Sequence, residues 1–270
     1  MIHEQPGRVT DAKRRARSPH KPQKEGDQMP QSEKSEKKKK PTQKEKFSLI
    51  YKGVIALAAV VGILLQCEIG TSDFSLSSLR MFTTLSNLAV AAFFIIYVVM
   101  CMMGGARSIS TKAVPEKSEA MSGKSAAREK TVGYFKFMIT MSIMLTGLVA
   151  HFMLRKMFVN MEPEVKAGLM LLHYVVPIAT FLDWILFDEK GRTDRKMPLF
   201  AALFPIVYVA VSMVAAQFMT GDSRYPYPFL NVDMLGAGTV ALNIVLLSAA
   251  FLAVGYLGVW ADHRLAGKKI

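Results

Sequence analysis

Cysteine, tryptophan and acid are all scarce in this chain: two Cys, two Trp, and 21 Asp or Glu against 34 Lys or Arg in 270 residues. Two cysteines make no disulfide framework. The topology argued below sets Cys67 and Cys101 near opposite faces of a membrane, beyond the reach of a single bond between them. No HExxH pair occurs, and no histidine stands with Asp or Glu at ligand spacing, so no metal is expected. Glycine-rich phosphate loops are missing too, and no cofactor is expected. Nor is there a repeat of solenoid period. A cleaved signal peptide is not expected, because the first apolar run begins only near Phe47 and is too long for its hydrophobic region. The net charge of +13 invites nucleic acid as a partner. Such a surface interleaves bases with aromatics on a folded scaffold, whereas here the bases sit in a tail and in loops, so no nucleic acid is expected.

What the chain does have is grease in long runs. Hydrophobic residues make up 51% of it, concentrated in stretches of about twenty, the length that crosses a bilayer as a helix. Six spans are read, near 48–69, 80–103, 132–154, 165–187, 198–219 and 235–260. The fold class expected is all-α, a polytopic bundle of six transmembrane helices over residues 47–262. Residues 1–46 carry fourteen bases and seven acids with almost no large apolar side chains. Burial cannot offset the ordering entropy of such a segment, so a disordered basic tail is expected. Its EKKKKP run suits anionic lipid headgroups, at about 1 kcal/mol per base. The Ser/Gly/Lys stretch 104–130 reads as a flexible loop, and 263–270 as a short basic tail. Cytoplasmic loops hold the excess of Lys and Arg. Twenty-nine of the 34 fall on one side in this scheme; Arg80, Arg155, Lys156, Lys166 and Arg224 are the five on the other. Both termini are therefore expected in the cytoplasm, with the protein in the cell membrane and membrane lipids as its partners.

Polar residues inside the spans are the candidates for function. In RMFTTLSNLAV, residues 80–90, Thr83, Ser86 and Asn87 stand at i, i+3 and i+4 on one helical face, which must look inward because lipid offers no hydrogen-bond partners. Bonds to neighbouring helices account for such groups equally well. The fourth span, LLHYVVPIATFLDWILF, places His173 at a depth close to that of Thr83, and an ionisable residue there is a functional candidate by default. Pro177, four residues on, removes the donor that would bond the His173 carbonyl and loosens the helix. Asp183 lies about 15 Å deeper, too far to orient the imidazole, and reads as structural beside the interfacial anchor Trp184. His151, near the outer end of the third span, is a second candidate. Either histidine also serves by bonding a backbone carbonyl. The outer segment YPYPFLN, residues 225–231, is a stiff amphipathic strip, fit for an interfacial belt or for a lid.

Taken together, FTTLSN at 82–87, LHYVVPIATFLDWILF at 172–187 and YPYPFLN at 225–231, in that order on six spans, resemble a bacterial family of six-pass membrane proteins. That family is similar to the androgen-induced membrane proteins of animals, threonine hydrolases that cleave fatty-acid esters of hydroxy fatty acids. The resemblance covers roughly residues 47–262. It implies Thr83 as nucleophile and His173 as base. In the animal pattern the His–Pro spacing is one residue longer, and an acid stands where Ser86 stands here. The chemistry is coherent, since a threonine hydroxyl attacks only when a base takes its proton and a neutral imidazole suits that task. Ser86, Asn87, His151 and Tyr227 are then expected around the substrate, with Asn87 or Tyr227 as a donor to the oxyanion. The alternative reading is a non-catalytic protein that binds or transports an amphiphile in the same pocket.

Overall fold

The computed structural model describes residues 42–70, 74–103, 123–221 and 224–267. Among them every regular element is helical. Six helices are long and apolar enough to cross a membrane: α1 Gln43–Gln66, α2 Phe82–Met102, α3 Glu129–Leu154, α4 Pro163–Phe187, α5 Met197–Ala216 and α6 Val232–Ala266. By length and composition the chain is a six-pass integral membrane protein. The tail up to residue 41 and the loop centre, 104–122, lie outside the described residues, and with them the expectations of disorder and lipid-headgroup contact.

Three boundaries differ from the sequence reading, for one physical reason. Residues 43–46, assigned above to the tail, are the first turn of α1, because Thr42 and Glu45 form a reciprocal cap in which each side chain accepts from the other's backbone N–H, at 3.3 and 2.6 Å. Helix also runs from Gly123 into α3, through part of the expected loop. At the far end α6 continues past residue 262 to Ala266. Hydropathy marks where hydrocarbon ends, and a helix with capped or hydrated ends continues beyond it.

Packing centres on α3. On one side it meets α2 and α4, and α1 packs against both of those; on the other it meets α5 and α6. The first contact set encloses a core of Ile55, Ala59, Val90, Phe94, Ile143 and Val176, the second one of Phe137, Met141, Ala201 and Phe251. Where α1 crosses α4 the backbones touch: a Cβ on Gly168 would stand 2.7 Å from the Gln66 nitrogen and 2.9 Å from the Gly62 oxygen. Only glycine fits there, as at small-residue crossings in membranes generally.

At the end of the bundle where α4 finishes, charge is buried. Asp183 is wholly inaccessible and binds Lys52 of α1 at 2.6 Å and Lys136 of α3 at 2.9 Å; Lys136 also pairs with Asp188. The Lys52 ammonium lies 4.8 Å from the ring centre of Phe187. Asp183 is structural, as read above, but as a cross-link of three helices. Trp184 carries the Lys190 ammonium 4.2 Å over its ring. Beside this cluster, Asp262 of α6 accepts from the backbone N–H and hydroxyl of Thr193 and so fastens the α4–α5 loop.

Candidate functional site

At the opposite end α2 begins, and its first turn leaves backbone N–H groups without intrahelical partners. The residue preceding it, Met81, offers no side-chain cap. The Thr83 N–H is satisfied from outside, by the hydroxyl of Tyr227 at 3.2 Å, a residue 144 positions later in the chain. The same hydroxyl lies 3.3 Å from Thr83 Oγ1, and on its other side Thr83 Oγ1 meets His173 Nε2 at 3.1 Å. All three side chains are buried.

Proton order along this chain follows from its two ends. His173 Nδ1 stands 2.9 Å from the Leu169 carbonyl, which only accepts, so Nδ1 carries the proton and in the neutral ring Nε2 is bare. Thr83 then donates to Nε2, and Tyr227 donates to Thr83. Burial pushes the Tyr227 phenol up, which keeps its proton in place.

The imidazole owes its position to a local change of helix type. From Leu171 to Val175 α4 makes a π turn, with the Val176 N–H reaching back to the Leu171 carbonyl. Such turns insert an extra residue and re-aim side chains. Pro177 contributes by leaving the His173 carbonyl without its intrahelical donor. Against that carbonyl packs Gly147 of α3, where a Cβ would lie 3.1 Å from the oxygen. The Phe158 ring covers the imidazole, centroids 5.2 Å apart.

Two neighbours of Thr83 hold the backbone rather than face a ligand. Asn87 gives its amide hydrogens to the carbonyls of Thr83 (2.8 Å) and Leu172 (3.2 Å), tying α2 to α4 one residue before the histidine. With both spent, Tyr227 is the side-chain donor nearest Thr83 Oγ1. Ser86 lies 3.0 Å from the same Thr83 carbonyl and 2.9 Å from Thr146 Oγ1 on α3. His151 is not brought to this place. It sits exposed in a second π turn, Ala150–Leu154, edge-on to Phe152 and Tyr174. Thr146 and Gly147 were missed from sequence, although Ser142 and Thr146, four apart in α3, form a buried polar face of the kind that marked α2.

Thr83 opens onto a cavity of about 320 Å³ bordered by α2, α3, α5, α6 and the Tyr227 segment. Phe82, Tyr208, Tyr227 and Leu230 surround it at the Thr83 end; Ala202 and Phe251 line its other end. Its walls are almost wholly apolar. Ile206 of α5 lines it and is also 53% exposed on the outside of the bundle, so the cavity approaches the lipid-facing surface between α5 and α6. Pro205 stands inside α5 at this level. The Tyr227 segment is held over the cavity by Asn243, which donates to the Phe229 carbonyl at 2.9 Å, and by Arg224, which pairs with Asp233 at 2.7 Å.

The chain matches no family model, no curated protein and no solved structure. What the arrangement can do is argued from its geometry. A hydroxyl between a bare imidazole nitrogen and a phenol donor can lose its proton to the first while accepting a hydrogen bond from the second, and it faces an apolar cavity. Among the described residues no grouping of three His, Cys, Asp or Glu is placed to hold a metal ion.

Proposed function

We propose that this protein is an integral membrane hydrolase of lipid esters, with Thr83 as nucleophile and His173 as base, acting from the outer leaflet with both termini in the cytoplasm. One observation carries the reading: Thr83 Oγ1 lies 3.1 Å from His173 Nε2, the nitrogen left bare by the Leu169 bond, at the edge of an apolar cavity. The resemblance to the androgen-induced membrane proteins supports the same pair.

In the first step Thr83 Oγ bonds to the ester carbonyl carbon while its proton passes to His173 Nε2, and the carbonyl oxygen becomes an oxyanion. The Tyr227 hydroxyl, whose proton points at Thr83 Oγ1 before attack, is the side-chain donor placed to turn to that oxygen. Collapse breaks the bond to the alkoxy oxygen, which leaves with the proton from Nε2 as an alcohol. Water then adds to the acyl-threonine, giving a proton to Nε2. The C–Oγ bond breaks, Thr83 regains that proton, and a fatty acid departs. The Leu169 carbonyl holds the imidazole in one tautomer throughout.

The test is labelling of the purified full-length protein by a fluorophosphonate, together with hydrolysis of a lipid ester. Thr83→Ala is expected to abolish both, and His173→Ala to slow hydrolysis by at least about a hundredfold, the scale of general base catalysis. Folding is checked by thermal unfolding in detergent. Hydrolysis surviving in a folded Thr83→Ala variant overturns the reading. A wild type that binds amphiphiles but neither reacts nor hydrolyses makes the chain a carrier or receptor instead.

A further inference from the structure

The dimensions of the cavity define what fits in it. Along α5 its walls extend from Ala202 to Ala210, and along α6 from Ile244 to Leu252. Each stretch is nine residues, whose eight steps of about 1.5 Å span about 12 Å. A fully extended chain advances about 1.2 Å per bond, one third of a peptide unit's span, so 12 Å takes roughly ten carbons. The volume gives a similar answer by a separate route. A dry cavity of about 150 Å³ holds one benzene, six carbons, and 320 Å³ is about twice that. Thr83 and Tyr227 stand at one end of this channel, and Phe251 and Ala202 at the other, where Phe251 is 2% exposed and packed among Met141, Met197 and Ala201.

We propose that the cavity is a length-selective site for one straight acyl chain of about ten carbons, lying parallel to α5 and α6. Its carbonyl sits at Thr83 and its terminal methyl against Phe251 and Ala202, so that Phe251 sets the chain length accepted. The chain enters sideways from the lipid, past Ile206. In its chemistry the proposal rests on the ester-hydrolase reading above, and in its dimensions it stands on the cavity alone. An interior of this shape, with Thr83 at one end and no charged side chain among its lining residues, suits a hydrocarbon tail better than a ring system or a sugar.

Two measurements separate the parts. In the first, the full-length protein in detergent is given p-nitrophenyl esters of four to sixteen carbons. We expect kcat/KM to peak near ten, to move one to three even-numbered steps longer in Phe251→Ala, and to move one step shorter in Ala202→Leu. In the second, which needs no hydrolysis, straight-chain fatty alcohols compete with a fluorescent dodecyl probe, and the same optimum and the same opposite shifts are expected. Hydrolysis with a flat length profile, or a peak unmoved in both variants, overturns the length-selective site and leaves the hydrolase reading intact. No hydrolysis of any ester, with the competition optimum present and shifting, retains the site and overturns the hydrolase. A flat competition profile without hydrolysis overturns both. Because the two substitutions act in opposite directions, misfolding of one does not imitate the result of the other.

Discussion

Replacing Asp183 by Asn changes size hardly at all and removes one charge from the place where two lysines converge. Lys52 reaches Asp183 at 2.6 Å with 3% of its side chain exposed, and Lys136 reaches it at 2.9 Å. Lys136 retains Asp188 as a direct counter-charge, whereas Lys52 keeps Ser48 at 2.9 Å, the more distant charge of Asp188 and the faces of Phe94, Tyr97 and Phe187. Breaking a buried pair by removing one partner costs about 3–5 kcal/mol, because the remaining charge is stranded. Ring faces recover about 1–2 kcal/mol for a desolvated cation. A net loss of about 1–4 kcal/mol is therefore expected, against the roughly 5–15 kcal/mol that typically separates folded from unfolded. The assay is SDS-induced unfolding in mixed micelles, for the wild type, Asp183→Asn, Lys52→Met and the double variant. The double variant is expected to recover most of the loss, since a buried pair replaced on both sides is often close to neutral. A loss below about 1 kcal/mol in Asp183→Asn, the scale of an exposed pair, refutes the claim that this charge cluster is a dry cross-link of α1, α3 and α4.

Tyr227→Phe removes the donor nearest the oxyanion while keeping the ring; kcat for a lipid ester is expected to fall about a hundredfold or more with KM little changed, and a fall under about threefold refutes the donor role. Asn87→Leu removes the tie between the Thr83 and Leu172 carbonyls, and thermal unfolding in detergent should reveal a loss of about 1–3 kcal/mol; an unchanged melting curve speaks against it. For orientation, single cysteines placed between residues 104 and 122 should resist an impermeant thiol reagent in intact cells while one at Ser223 reacts, and the opposite pattern reverses both termini.

The spans were legible because twenty-residue runs of grease have one explanation in a helical chain. The stretch read as 80–103 proved to be Phe82–Met102, and 165–187 proved to be Pro163–Phe187. Ends were less legible where charged helix continues past the hydrocarbon, as at Gln43 and Ala266. Within the site, the polar trio at i, i+3 and i+4 placed Thr83, Ser86 and Asn87 on one buried face, and similar depth placed Thr83 level with His173. Spacing did not reveal that Asn87 spends its hydrogens on two carbonyls, or that His151 turns outward. Those depend on two π turns, and nothing in residue type announces a π turn except the proline after one of them. The Lys52 and Asp183 pair joins residues 131 positions apart, and a single sequence carries no sign of such partnership.

Tyr227 meets Thr83 across 144 residues of chain, and this bears on how the protein is made. A polypeptide enters the membrane from its N-terminus onward, and its parts fold in that order. Thr83 and His173 are both in place once α4 has been inserted, yet the Tyr227 segment is still unmade, and the side of the cavity formed by α5 and α6 does not exist. Until α6 arrives with Asn243 to pull the segment down, the threonine faces open bilayer with neither the cavity nor a phenol beside it. The geometry thus makes the site a late product of assembly: the threonine–histidine pair forms first, and the cavity and the phenol reach it only with the last two helices.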